Sequence, residues 1–285
     1  MFFQQLISGL AIGSIYGIVA LGFTLIWNAA RVVNFAQGEF SMVGGFLAYT
    51  FFVLLGIPYY GAFLFALLIA GAIGWIMDFL VIRPLRSADP LTVVITTLGV
   101  SIILANGAMF IWGTKAMAFP SVFGSNPVQL GKVMVIPENL WIIGFTVCLV
   151  AFFYVFFQKT KAGKAIRSVA QDKETASLMG INVNLMIGMT FAVAGALGAA
   201  AGVLLAPLFF VSTDIGLTLV LKAFIAAVLG GFGSLQGALL GGIILGVLET
   251  MGAFYISSTY KDVITFTVLI FLLIFSPTGL FKKPG

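Results

Sequence analysis

The stretch from Leu6 to Trp27 carries no charged side chain, and runs of the same kind recur along almost the whole chain. A helix needs about 20 mostly apolar residues to cross the hydrocarbon of a bilayer. Runs that meet or approach this length lie at Leu6–Trp27, Gly38–Leu55, Gly61–Ile82, Leu91–Trp112, Leu140–Phe157, Val183–Ala206, Leu235–Thr250 and Val263–Phe275. A helix satisfies every backbone polar group within its own segment, which lipid requires. The expected fold is therefore all-α, a polytopic transmembrane helical bundle. Charged residues are 8% of the 285, against about 25% in soluble domains, too few to dress a water-facing surface. The 34 glycines suit the same environment, because small residues let membrane helices approach closely. No linker or shift in composition divides residues 1–285, so a single permeating domain is expected.

A ninth apolar segment, Leu217–Gly230, is short, carries Lys222 and ends in Gly230-Gly231-Phe232-Gly233. Glycine-broken or re-entrant segments are tolerated where they are buried in protein or line a cavity. Whether this one crosses leaves eight or nine spans open. Lysine and arginine orient the chain, since cytoplasmic loops collect them. The densest group is Lys159, Lys161, Lys164, Arg167 and Lys173. With that loop, about residues 159–182, inside the cell, alternation places Arg31, Arg83 and Arg86 inside too and the N-terminus outside. Lys115 and Lys132 fall outside. Putting Lys282 and Lys283 inside favours nine crossings and leaves Lys261 outside beside Asp262. The net charge of +5 is thus a topology signal, and no nucleic-acid partner is implied. The first residues, MFFQQ, lack a basic signal-peptide head, so the first run is taken as a retained span.

Chemistry is narrowly bounded. There is no histidine, which removes histidine acid–base catalysis and histidine metal sites. Cys148 is the only cysteine, so no intrachain disulfide can form. No Gly-x4-Gly-Lys-Ser/Thr loop occurs to cradle nucleotide phosphates; the nearest lookalike, Gly124 with Gly131-Lys132, has the wrong spacing. No catalytic residue, metal or cofactor is expected, and the chain is not expected to be an enzyme.

Between Ala165 and Met179 the residues are good or fair helix formers. Ile166, Val169 and Ala170, then Ala176 and Met179, recur at helical steps, with Gly180 placed as a C-terminal cap. One amphipathic helix at the cytoplasmic surface follows, either resting on anionic lipid headgroups or inserted in a groove of a cytosolic partner. The segment Glu174-Thr175-Ala176-Ser177-Leu178-Met179-Gly180 resembles the EAA motif of ABC importer permeases, with Thr in its second position and without the Ile-x-Leu-Pro continuation. That resemblance implies a coupling helix seated in an ATPase subunit, with Arg167, Asp172, Glu174, Ala176 and Gly180 as contact residues.

The whole chain resembles the LivH-type permeases of branched-chain amino acid transporters. The residues that carry this are Gly9-Leu10-Ala11-Ile12-Gly13-Ser14-Ile15-Tyr16-Gly17 with Ala20-Leu21-Gly22, and Val33-Asn34-Phe35-Ala36-Gln37-Gly38-Glu39. Ala170-Gln171-Asp172 with Met179-Gly180-Ile181-Asn182-Val183, and Leu229-Gly230-Gly231-Phe232-Gly233-Ser234, continue it. The resemblance implies a multi-pass permease of the bacterial inner membrane that translocates branched-chain or hydrophobic amino acids or a related small polar metabolite. It implies two cytosolic ABC ATPase subunits that bind the ATP, a second related (LivM-like) permease or a homodimer, and an extracytoplasmic binding protein. The external loop from Gly113 to Asn139 would be a connector or a docking surface for that protein. An ion-gradient-driven secondary transporter or channel is the alternative, and would need a cluster of intramembrane carboxylates.

Ionisable side chains within spans are costly and point to function. Asp78 is expected beside Arg83 at the inner surface. Lys222 and Glu249 have opposite sign in neighbouring segments and are expected either to pair or to meet a charged substrate. Glu39, near Asn34 and Gln37 in a segment expected to be non-helical, would cap the following helix or line the pathway. Thr97 and Ser101 share one face of the fourth span, facing either another helix or the pore. Asn34, Gln37, Glu39, Thr97, Ser101, Lys222 and Glu249 are the candidate pathway residues.

Overall fold

Prolines and capping side chains set where the helices begin. Pro90 and Pro137 occupy the first turns of two spans, where proline's missing N–H costs nothing. Asn182 Oδ1 accepts the Leu185 N–H at 3.0 Å and Ser234 Oγ accepts the Gly237 N–H at 3.0 Å, capping two more. The computed structural model describes residues 2–124, 127–130, 133–275 and 279–281. Lys132, Lys282 and Lys283, which entered the orientation argument, lie outside the described residues, as does Gly131. The helices are α1 (Phe2–Ala30), α2 (Gln37–Tyr49), α3 (Tyr59–Met77), α4 (Pro90–Trp112), α5 (Pro137–Lys159), α6 (Lys161–Gln171), α7 (Lys173–Leu178), α8 (Val183–Leu205), α9 (Ile215–Gly230), α10 (Leu235–Tyr255) and α11 (Lys261–Phe275).

Among the described residues, six helical stretches are long and apolar enough to cross a membrane. They contain α1, α3, α4, α5, α8 and α10. Helix α2 is prolonged by a π-helical turn, Thr50–Leu54, and α9, with 16 residues, is about 24 Å long. By length alone α2, α9 and α11 fall short of the 30 Å or so of a bilayer core. The segment with Lys222 is an unbroken helix; its glycine break comes at the end, in the turn to α10. The external loop also holds more than a connector: β1 (Val128–Leu130) pairs antiparallel with β2 (Val133–Val135), and Met117 bridges to Val211 in the α8–α9 connection.

Helix α1 is the centre of the bundle, with most of its length from Gly9 to Ile26 buried. It lies in backbone contact with α10. A Cβ on Gly13 would stand 2.7 Å from Ile243 Cα, and one on Gly242 or Gly246 would run into the α1 backbone at Gly17 or Gly13. In lipid no hydrophobic effect draws helices together, so such close approach and its dispersion contacts supply the cohesion. A similar seam holds α8 between α2 and α3, where a Cβ on Gly195 would meet Ala70 O at 2.5 Å and one on Gly202 would strike Ser41 O. Helices α4 and α5, by contrast, show much of their surface: Leu91, Ile95, Ile102, Phe110, Val147 and Phe152 are all exposed.

The seam makes a direct prediction. Gly242→Ala should lower the detergent-solubilised protein's stability by about 1–3 kcal/mol, the usual cost of overpacking. Gly144→Ala, where an added Cβ meets nothing, should be neutral or slightly stabilising through helix propensity. Thermal unfolding of the two variants checks this; equal midpoints would contradict backbone contact along the seam.

Candidate functional site

The connection between α5 and α8 is two helices rather than the single one expected from Ala165 to Met179. Asp172 adopts an extended conformation (φ −152°, ψ 113°) between α6 and α7. Its side chain explains the break: Oδ1 accepts the N–H groups of Glu174 (2.9 Å) and Thr175 (3.2 Å), and Oδ2 accepts the Thr175 hydroxyl at 2.5 Å. Asp172 is thus the N-cap of α7. The hydrogen bonds from the Thr175 hydroxyl and N–H hold its carboxyl below the usual carboxylate range. At the other end Gly180 sits at φ +79°. The Ile181 N–H reaches Ala176 O and the Gly180 N–H reaches Ser177 O, each at 3.0 Å, which is the Schellman pattern that glycine favours.

The elbow changes which residues face outward. Ile166, Val169 and Ala176 are buried, as the periodicity requires, whereas Met179 is not part of that inner face. Met179 is 79% exposed and Leu178 is 87% exposed. Glu174 is exposed and contributes its N–H to the cap, while Arg167 is exposed and donates to Gln158 Oε1 at 3.4 Å.

Two residues that the sequence did not single out tie this elbow to the bundle. The half-buried Lys173 donates to Ala30 O, at the last turn of α1, at 3.2 Å, the helix end that favours a cation. Burial, followed by the nearby Arg86 and Arg31, pulls the Lys173 ammonium below its ordinary value. Two residues back on α1, Asn28 Nδ2 donates to Gly233 O at 2.8 Å. Gly231 and Gly233, at φ +97° and +94°, make the α9–α10 turn. No local pattern signals either contact, because both acceptors are backbone carbonyls of residues distant in sequence.

Five of the candidate pathway residues come together where α2 begins. Gln37 and Glu39 lie in the first turn of α2, so only Asn34 belongs to non-helical chain. Glu39, 2% exposed, does not cap its helix; Oε1 accepts the Ser101 hydroxyl at 2.8 Å. Thr97 Oγ1 accepts the Phe35 N–H at 3.2 Å and donates to Val94 O. Gln37 Nε2 donates to Ala194 O at 2.9 Å, and Asn34 Oδ1 accepts the Ala36 N–H at 3.0 Å. Thr97 and Ser101 therefore face α2 and the loop before it. Among the described residues, Glu39 Oε2, Gln37 Oε1, Asn34 Nδ2 and Ser41 Oγ are buried without a hydrogen-bond partner. Buried polar atoms are nearly always paired, so this group has unspent bonding capacity.

The other two candidates form a second cluster. Lys222 Nζ lies 2.5 Å from Glu249 Oε1 and 3.3 Å from Asp262 Oδ1. It also donates to the Tyr16 hydroxyl at 3.3 Å and sits over that ring, 5.4 Å from its centroid. Helices α1, α9, α10 and α11 thus share one ammonium. Tyr16 and Asp262 escaped the sequence reading, since neither is at helical spacing from Lys222. Asp78 corrects another expectation. Its partner is Arg86, at 2.7 and 3.0 Å, while Arg83 lies over the Phe79 ring. A π-helical turn, Asp78–Ile82, and a 3₁₀ turn, Arg83–Leu85, shift the register so that the later arginine reaches back.

A bundle of apolar helices with buried polar clusters among its spans is the architecture of a membrane transport protein. The chain belongs to the family described as branched-chain amino acid transport system / permease component, which it matches over residues 5–273. It is similar to the high-affinity branched-chain amino acid transport system permease protein LivH of Salmonella typhimurium, at 35% identity over 99% of this chain and 96% of that one. BraD of Pseudomonas aeruginosa is 36% identical over 99% of this chain and 96% of its own length. The probable LivH of Methanocaldococcus jannaschii is 30% identical over 92% and 87%. The chain is accordingly a permease subunit of an ATP-binding-cassette importer, a transport component of the bacterial inner membrane rather than an enzyme. Permeases of this class work with ATPase and substrate-binding partners.

Lys222→Met should destabilise the subunit by about 3–5 kcal/mol by leaving buried carboxylate uncompensated. Adding Glu249→Gln should recover much of that loss, measured as thermal stability of the purified protein. Equal stability of the single and double variants would remove the ion pair from any role in helix register.

Proposed function

We propose that this chain forms one half of an ATP-driven path for branched-chain or other hydrophobic amino acids, receiving motion through α7. Two cytosolic ABC ATPases would seat on that helix and hold the ATP. A second related permease, or a copy of this chain, would complete the path, and an extracytoplasmic binding protein would deliver substrate.

The observation that carries this reading is the exposure of Leu178 and Met179 at the tip of a helix capped at both ends. A rigid helix holding two large apolar side chains at the aqueous surface fits a helix-in-groove contact, in which buried anchors supply most of the binding energy. Asp172 and Gly180 then act by fixing the helix that presents them, and Ala176 by packing its inner face. The contacts of Lys173 with Ala30 O and of Asn28 with Gly233 O offer a route from α7 through the end of α1 to the α9–α10 turn. The unpaired atoms of Asn34, Gln37 and Glu39 supply polar groups for substrate, with Thr97 and Ser101 positioning the segment that carries them. Helix α4 supports the pairing of permeases. Its exposed face includes Thr92 and Asn106 among apolar residues, polar groups that suit a protein neighbour or a water-filled path better than lipid tails.

Leu178→Glu with Met179→Glu should abolish uptake while leaving membrane insertion intact. Loss of two anchors at about 2 kcal/mol or more each should also prevent recovery of the ATPases with the permease. Leu178→Met should keep both. Normal uptake by the double variant would overturn the docking assignment. Asp172→Asn should preserve the cap and Asp172→Ala should loosen it. Because the Asp172 carboxyl is held low, its stabilising effect is complete above the unfolded-state value, about 4, and fades as pH drops through the lowered one. The protection factors of the Glu174 and Thr175 amides against hydrogen exchange should therefore hold at pH 6 and fall only in strong acid.

A further inference from the structure

A groove of about 390 Å³ opens between α3, α5 and α8, lined by residues that include Leu67, Cys148, Phe152, Val193 and Ala196. The groove opens at the bundle surface, where a membrane helix meets lipid. Its origin is plain in the sequence. Helix α8 approaches α3 backbone to backbone at Gly195 and Ala70. On the side towards α5 it presents the small Ala196 and Ala200, while α5 answers with Phe145, Phe152 and Phe153, whose rings hold the helices apart. Every lining side chain is apolar apart from the Cys148 thiol, and an apolar cavity does not hold water. At membrane depth a hydrocarbon chain fits.

Charge at one end of the groove says which hydrocarbon chain. Phe152 and Lys159 are seven residues apart on α5, so they share a face about 10 Å apart along the axis, with Lys159 at the cytoplasmic end. Lys161 and Lys164 follow on α6. All three lysines are exposed, and none takes part in an ion pair among the described residues. An acyl chain reaching from the headgroup level to the bilayer centre spans about 15 Å, enough to run from Lys159 past Phe152 into the groove. Clustered lysines next to the cytoplasmic end of a span attract anionic headgroups.

We propose that this groove is a binding site for one anionic phospholipid of the cytoplasmic leaflet, its acyl chain between α5 and α8 and its phosphate on Lys159, Lys161 and Lys164. The site goes beyond the transport reading and does not depend on which substrate is carried. A bound lipid there would fill the space between α8, which leads out of the α7 elbow, and α5, which leads into it.

Native mass spectrometry of the complete transporter, extracted with its partner subunits and exchanged into a stripping detergent, tests the site with phosphatidylglycerol and phosphatidylethanolamine as probes. The wild-type complex should retain phosphatidylglycerol. Ala196→Leu, which fills the groove with apolar volume, should lose it. Lys159→Gln should retain about fivefold less phosphatidylglycerol, with phosphatidylethanolamine unchanged. Equal retention by all three proteins would overturn the proposal. Labelling of Cys148 in the otherwise unaltered complex guards against a variant that fails to fold. Maleimide reactivity should rise when lipid is stripped and fall when phosphatidylglycerol is restored. Reactivity that ignores lipid but rises when the permease pair is dissociated would assign the groove to the second subunit instead.

Discussion

The backbone contact between α1 and α10 is the constraint on which the rest of the structure rests. Glycines at 9, 13 and 17 face glycines and small backbone surfaces at 242 and 246. No larger residue fits, because the opposing atoms are main chain and cannot swing away. This contact fixes α1 at the centre of the bundle, and both ends of the functional apparatus hang from it. Tyr16 stands on α1 with Lys222 over its ring, and two residues from the helix end Asn28 holds the α9–α10 turn while Ala30 O receives Lys173. A shift of α1 would therefore be felt at the ion cluster and at the α6–α7 elbow together.

Charge is distributed according to the cost of burying it. Lys222 is surrounded by two carboxylates and the Tyr16 phenol, and both Asp78 oxygens accept from one Arg86 nitrogen, Nη2, arrangements that offset desolvation by multiple contacts. Glu39 is different. It has one hydroxyl donor and one unpaired oxygen, and lies among other unpaired atoms. A fully structural polar network would satisfy its members. Glu249 Oε2 and Arg86 Nε are unpaired as well, so what sets the start of α2 apart is that Glu39 meets a hydroxyl, whereas Glu249 and Asp78 each face a cation.

The apolar runs located every long helix, because lipid imposes length and polarity directly on sequence. The EAA-like segment and its basic approach located the elbow for a similar reason: caps and periodicity are local. What escaped was one local cap and several effects with no local signature. Asp172 looked like one polar residue within a helix, and only its bonds to Glu174 and Thr175 reveal that it ends one helix and begins another. That break turned Met179 outward. Arg83 looked closer to Asp78 than Arg86 did until π and 3₁₀ turns altered the register. Asp262, Tyr16 and the carbonyls of Ala30 and Gly233 were invisible since their partners lie in other helices. The pairing of Val128–Leu130 with Val133–Val135 was masked by a loop rich in proline and glycine.

The most direct measurement of the central claim is cross-linking from the α7 tip in the assembled transporter. A single cysteine at Leu178→Cys, with Cys148→Ser removing the native thiol, would carry a short photoactivatable cross-linker. Efficient cross-linking to the ATPase subunit, weakened or redirected by trapping the ATP-bound state, is the expected result. Cross-linking to lipid alone, in every nucleotide state, would contradict α7 as the seat of the ATPase.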